Sequence, residues 1–209
     1  MVDIGALLKT FIYLISSSLL YPVLLLLVVL TLLIIVYAGA FFSEWLERIR
    51  LEKCPAHELP QALKAGTVSA AVTHRVNAYV AILKHTIEGE KDAAVSIENL
   101  LQETTLTLWK SMDRLRILVR AAPSLGLIGT LIPMGTGLAA LGQGDMTKLS
   151  TDLVIAFTTT VTGLAIGTTA FFLYTVRRRW IEEDIKNMEL ATEMLTEKID
   201  YAVFSETPN

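Results

Sequence analysis

Three long windows of this chain contain no charge at all, and that constrains the fold more than any other feature. Residues 10–43 hold no Asp, Glu, Lys or Arg over 34 positions, and residues 121–144 and 153–176 hold none over 24 each. A helix that crosses a bilayer needs roughly 20 mostly apolar residues. At about 1.5 Å per residue, each window is long enough to cross with some tilt. Backbone polar groups in lipid must be satisfied within the segment, which selects helices. The sequence therefore predicts an all-α integral membrane protein with three transmembrane helices. All 18 Lys and Arg and all 21 Asp and Glu lie outside these windows. A net charge of −3 excludes a nucleic-acid-binding surface as the main function. The single cysteine, Cys54, excludes an intrachain disulfide and a cysteine-based zinc site.

Basic residues fix the expected orientation, because short loops rich in Lys and Arg stay in the cytoplasm. Residues 43–120 hold 11 of them and the tail after Val176 holds five, against one each, Lys9 and Lys148, on the other side. The N-terminus is expected outside and the C-terminus in the cytoplasm, as in a multi-pass protein of the cytoplasmic (inner) membrane. The start of the chain has too little positive charge and too long an apolar run for a cleaved signal peptide.

The expected order begins with a short amphipathic helix on the outer surface, 1–18, since Ile4, Leu7, Leu8, Phe11, Ile12 and Ile15 share a helical face. The alternative is one long helix from residue 5 onward. Transmembrane helix 1 follows over 19–43, opened by Tyr21-Pro22. A cytoplasmic helical region spans 44–120, with breaks at Cys54-Pro55, Leu59-Pro60, Gly66 and Gly89. Transmembrane helix 2 covers 121–144, an outer turn 145–152, and transmembrane helix 3 153–176. A cytoplasmic C-terminal helix and tail occupy 177–209. The second and third transmembrane helices thus continue into long cytoplasmic helices. On the tail, Met188, Ala191, Leu195, Ile199 and Ala202 recur at helical spacing.

The first span is Leu, Val and Ile, a surface suited to lipid. The other two differ. The second carries Gly126, Gly129, Gly135, Gly137 and Gly142, with Thr130, Thr136, an opening Pro123 and an internal Pro133 that should kink the helix or free a carbonyl. The third carries seven threonines and Gly163-x-x-x-Gly167. Helices in lipid associate through close contact of small residues and through hydrogen bonds. Ala156, Thr160, Gly163, Gly167 and Ala170 form one stripe, and Thr158, Thr162 and Thr169 a second on the far side. Either stripe could face a polar path, and each threonine could instead bond its own backbone. No ionisable side chain lies inside any span, although such groups usually mark ion paths. Asp145 and Asp152, at the outer edge, read either as loop charges with a helix cap at Ser150 or Thr151, or as an ion-attracting mouth. No metal cluster and no nucleophile–base pair is present, so an enzyme is not expected. His57, His74 and His85 read as surface residues.

The segment Ala122-Pro123-Ser124-Leu125-Gly126-Leu127-Ile128-Gly129-Thr130 resembles the A-P-x-x-G-L-x-G-T signature of the MotA/TolQ/ExbB proton-channel family. Thr160-Val161-Thr162-Gly163-Leu164 is similar to that family's last span. The motifs cover about residues 115–180, and the layout matches elsewhere. The resemblance implies a pentamer of this chain surrounding the membrane helices of a single-span ExbD/TolR/MotB-like partner, which supplies a membrane Asp. It implies a transported H+ or Na+ and no other cofactor, with Thr130 and Thr160 lining the path and Pro123 and Gly126 shaping the start of the second span. One departure is that Ile155-Ala156 stand where ExbB-type proteins carry a Glu, while Asp152 lies one turn earlier. The contrasting reading is a non-conducting membrane scaffold or sensor with a cytoplasmic helical interaction surface.

Overall fold

The computed structural model describes residues 4–50, 73–89 and 93–206 of the chain. Four helices account for them: α1, Ile4–Arg50; α2, His74–Gly89; α3, Ala93–Gly142; and α4, Met146–Glu206. There is no strand among the described residues. α1, α3 and α4 have 47, 50 and 61 residues, each at least twice what a bilayer crossing requires, and each contains a segment apolar enough to span. The chain is a multi-pass helical membrane protein. The expected short helix near residues 60–65 lies outside the described residues.

From Ile4 onward the residues of the expected surface helix belong to α1, as in the alternative of one long helix. α1 runs unbroken through Pro22, and its early apolar residues are not confined to one face: Leu7, Leu8, Phe11, Ile12 and Leu14 are all more than half exposed. The reason is environmental. An interior proline costs about 3 kcal/mol in a helix, but ending the helix in an apolar setting would strand several backbone donors and acceptors at several kcal/mol each.

Three of the helices contribute to two compact units. The first comprises Met1–Gly39 and Arg114–Tyr174. On α1, Val23, Leu27 and Ile34 are buried, while Leu25, Val28, Leu32, Ile35 and Val36 point outward as a lipid-compatible surface. α3 and α4 pack backbone against backbone. A methyl added at Gly163 would stand 2.7 Å from the Ala122 carbonyl oxygen and from Gly126 Cα. One at Gly167 would stand 2.6 Å from Pro123 Cγ, and one at Gly129 2.9 Å from Thr159 Cβ. The small-residue stripe is therefore a seam, as packing without a hydrophobic drive requires. Pro133 is wholly buried within an uninterrupted α3.

The α3–α4 connection is tighter than the expected eight-residue turn. The Gly144 amide donates to Leu141 O and the Asp145 amide to Ala140 O, both at 3.0 Å, and Gly144 has φ +78°. This is a Schellman ending, with glycine in the left-handed position. Asp145 Oδ1 then accepts the Lys148 amide at 3.0 Å. The cap of α4 is thus Asp145, not Ser150 or Thr151, and residues 146–152 are already helical.

The second unit comprises Ala40–Asp113 and Thr175–Asn209. Its core joins Val76, Tyr79, Val80 and Leu83 of α2, Ile97 of α3, and Met188 and Ala191 of α4. The 3.6-residue period places these on single faces, and Tyr79 Oη shares a 2.6 Å hydrogen bond with Thr192 Oγ1. The tail register read from Met188, Ala191 and Leu195 matches this packing. The side chains of Ile199 and Ala202 lie outside the described residues.

Candidate functional site

The α3–α4 seam carries the polar chemistry of the first unit. Gly126, Gly129 and Gly163 let the two backbones approach, and the approach brings Thr130 and Thr160 together. Their hydroxyls are in direct hydrogen-bond contact. Thr130 Oγ1 also reaches Gly126 O at 2.9 Å and Ala156 O at 3.3 Å, and Thr160 Oγ1 reaches Ala156 O at 3.0 Å. Thr159 Oγ1 adds a third hydroxyl at Ala156 O, 2.9 Å away, with Ile155 O as its other acceptor at 3.0 Å. Each hydroxyl has one proton and two acceptor positions. Three protons thus face more acceptors than they can serve at once, so the hydrogen-bond pattern can rearrange without breaking the packing.

The other threonine stripe behaves differently. Thr158 Oγ1 donates to Val154 O at 2.7 Å and Thr162 Oγ1 to Thr158 O at 2.8 Å, both within α4. The seam therefore brings Thr130 to Thr160, and not to Thr158 or Thr162. Pro123 and Gly167 close the seam at one end, and Gly126, Gly129 and Gly163 pack along it. Toward the hairpin, Thr136 Oγ1 donates to Asp152 Oδ2 at 2.7 Å and approaches Pro133 O at 3.0 Å. Asp152 is half-buried against α3, whereas Asp145 is exposed and spent on the helix cap. Thr136 as the partner of Asp152 was not legible from spacing. The only signal was that 152, 156 and 160 fall at steps of four on one side of α4.

Sequence reading also missed a charged cluster in the second unit. Arg48 and Arg177, counted above only among the basic residues that fix orientation, here pair with carboxylates. Arg48 Nη2 lies 2.7 Å from Asp184 Oδ2 and donates to Trp180 O at 3.2 Å. Thr73 Oγ1 donates to Asp184 Oδ1 at 3.1 Å, and Arg75 Nη1 stands 3.7 Å from Oδ2. Glu44 sits between Arg75, at 2.8 Å, and Arg177, at 3.7 Å. Trp180 stacks on Phe41 at 4.9 Å, with the Arg48 guanidinium 5.1 Å from its ring. Asp184 is 1% exposed. Burial pushes its carboxyl above the usual carboxylate range, and this outweighs the opposing pull of Arg48, Thr73 and Arg75. A cavity of about 250 Å3 is lined by Glu44, Arg48, Thr73, Arg75, Arg177 and Asp184 together with Glu47 and His74. Its positive and negative side chains balance, so it reads as a structural ion-pair network rather than a ligand site.

No group of three or more His, Cys, Asp or Glu among the described residues could hold a metal. Spanning helices joined along a hydroxyl-bearing, glycine-packed seam define a class, the polytopic membrane proteins with a polar helix–helix interior. Within that class, the chain belongs to the MotA/TolQ/ExbB proton channel family, whose model matches residues 64–190. That family transports ions and is not enzymatic. The chain is also similar to a protein of Methanothermobacter thermautotrophicus named as a biopolymer transport protein ExbB homolog, 30% identical over 103 residues. That match covers 47% of this chain and 37% of the relative, so the chain spans well under half of the relative's length. No solved structure matches the chain.

Proposed function

We propose that the chain is an ion-conducting stator subunit of a membrane motor or energy-transducing complex. Copies of it form a ring, a pentamer, around the membrane helix of a single-span ExbD/TolR/MotB-like protein that supplies a membrane Asp. The ion is H+ or Na+. The N-terminus lies outside and the C-terminus in the cytoplasm, with Asp152 and Asp145 at the outer mouth. α1 faces lipid as an anchor.

The observation that carries this reading is the Thr130–Thr160 hydroxyl pair, which lies within the charge-free stretches 121–144 and 153–176. Hydroxyls can order water and relay a proton, but they do not titrate near neutral pH. A carboxylate on a second protein would supply the titrating step. Thr158 and Thr162, satisfied by their own helix, are secondary candidates for the same path.

The test is ion flux in vesicles holding the chain with its single-span partner. Thr130→Val with Thr160→Val is expected to leave the assembly intact by mass while abolishing flux. Undiminished flux in the double variant would refute the role of the pair. A particle with no ring and no partner would favour the scaffold reading.

A further inference from the structure

We propose that Thr159 is a positioning residue. By competing for the Ala156 carbonyl it sets which way the Thr130–Thr160 hydrogen bond points, and so gives the seam two interchangeable hydroxyl arrangements. What the exchange does for a moving ion rests on the stator reading; the exchange itself does not.

Thr159 is 4% exposed, and in the first unit it is the buried polar side chain among the described residues. With so little contact with solvent, its proton has to be taken by a protein acceptor. Two carbonyls lie at nearly equal distance, Ala156 O at 2.9 Å and Ile155 O at 3.0 Å. Gly129 leaves the room for this side chain. A methyl there would stand 2.9 Å from Thr159 Cβ and 3.0 Å from its Oγ1.

A carbonyl oxygen has two lone pairs. Within unbroken α4, Ala156 O accepts the Thr160 amide and Ile155 O the Thr159 amide; within α3, Gly126 O accepts the Thr130 amide. Each therefore has one place left for a hydroxyl. Three hydroxyls reach for the place on Ala156 O: Thr159 at 2.9 Å, Thr160 at 3.0 Å and Thr130 at 3.3 Å.

Thr130 and Thr160 are in hydrogen-bond contact, so one of them donates to the other. When Thr159 donates to Ile155 O, Thr160 takes Ala156 O, and Thr130 donates to Thr160 Oγ1. When Thr159 donates to Ala156 O, Thr160 turns to Thr130 Oγ1, and Thr130 donates to Gly126 O at 2.9 Å. Every proton is placed in both arrangements, which differ only by rotation about the three Cβ–Oγ bonds. In the first, the oxygen left open to an outside donor is Thr130 Oγ1, on α3. In the second it is Thr160 Oγ1, on α4. Water or hydronium is thus received by one helix or the other according to a buried residue beside the pair.

The experiment reads the Gly126 carbonyl, whose hydroxyl donor is Thr130 and not Thr159. The full chain in lipid vesicles is labelled with 13C at glycine carbonyls and 15N at leucine amides. Solid-state NMR then reports Gly-Leu pairs, which occur at 126–127, 137–138 and 163–164. Leu127→Ile, at an exposed position, identifies the Gly126 peak by its loss. Thr130→Val gives the peak position with no hydroxyl donor, and Thr160→Val the position with Thr130 turned to Gly126 O. The wild-type peak is expected between them. Thr159→Val opens Ala156 O to Thr160, so the peak should move toward the Thr130→Val position, and Thr159→Ser should return it. The Gly137 peak should stay in place throughout. The proposal is overturned if Thr159→Val leaves the Gly126 peak unmoved, moves it toward the Thr160→Val position, or moves the Gly137 peak with it, or if Thr159→Ser fails to restore it. The chain is measured alone, without partner or ion gradient, so a failure of the stator reading in flux assays would be seen separately.

Discussion

Gly163 is the position where the seam can be opened by a single methyl group. In Gly163→Ala the new carbon would stand 2.7 Å from both the Ala122 carbonyl oxygen and Gly126 Cα, and these are backbone atoms of the facing helix that cannot swing aside. Reaching ordinary contact, which begins at 3.4 Å, requires the helices to separate by about 0.7 Å. Overpacking of this kind costs about 1–3 kcal/mol. The same displacement would carry Thr130 Oγ1, now 3.3 Å from Ala156 O, beyond hydrogen-bond range. Alanine's better helix propensity returns about 1 kcal/mol, so the net loss is up to about 2 kcal/mol, or roughly thirtyfold in the folding equilibrium. The control is Gly135→Ala, where a methyl meets nothing within 4 Å and the propensity gain stands alone. Equilibrium unfolding in bicelles, followed by circular dichroism, compares the two. Gly163→Ala should fall below wild type and Gly135→Ala should equal or exceed it. If Gly163→Ala is as stable as Gly135→Ala, the backbone-on-backbone seam is not as described.

Three other outcomes are expected. Asp184→Ala removes the acceptor from a largely buried Arg48 and from Thr73, so unfolding should show a loss of about 2–4 kcal/mol, while Asp184→Asn, which keeps an acceptor, should lose less. Because burial raises the Asp184 carboxyl, the folded chain takes up this proton at higher pH than the unfolded chain. Stability therefore rises as pH falls through the range above the usual carboxylate value, and the melting temperature of wild type relative to Asp184→Asn should increase on acidification; a decrease would mean that the Arg48 pairing outweighs burial. Gly144→Ala places a side chain at φ +78°, which should cost about 1–2 kcal/mol and show as faster amide exchange at the hairpin.

Membrane insertion was readable along the chain because hydropathy is a local property. The charge-free windows needed no knowledge of neighbours, and the three spanning helices appear where those windows lie. Gly126, Gly129, Gly163 and Gly167 pack at the seam, as small residues in lipid often do, whereas a methyl at Gly135 or Gly142 would meet nothing within 4 Å, and spacing alone did not separate the two sets. Where the first helix begins was not legible, because a face of Leu and Ile suits both a surface helix and the start of one long helix, and α1 runs on from Ile4 through Pro22. The cap was misplaced because Ser, Thr and Asp are all competent caps. The choice of Asp145 followed from the Gly144 turn.

The sequence by itself determined the class of molecule, three apolar helices with a glycine- and threonine-rich pair among them, because the cost of burying a charge or an open backbone in lipid is paid residue by residue. Only the tertiary structure decided which hydroxyls meet. A helix presents many threonines at similar spacing, and a shift of one position rotates each by about 100°. The close approach at Gly126 and Gly163 sets the register, and the register pairs Thr130 with Thr160 and Thr136 with Asp152. Likewise Arg48 and Asp184, 136 residues apart, carry no mark of each other in the chain. Their pairing exists because folding buries Asp184, and a buried carboxylate must find a cation or a proton.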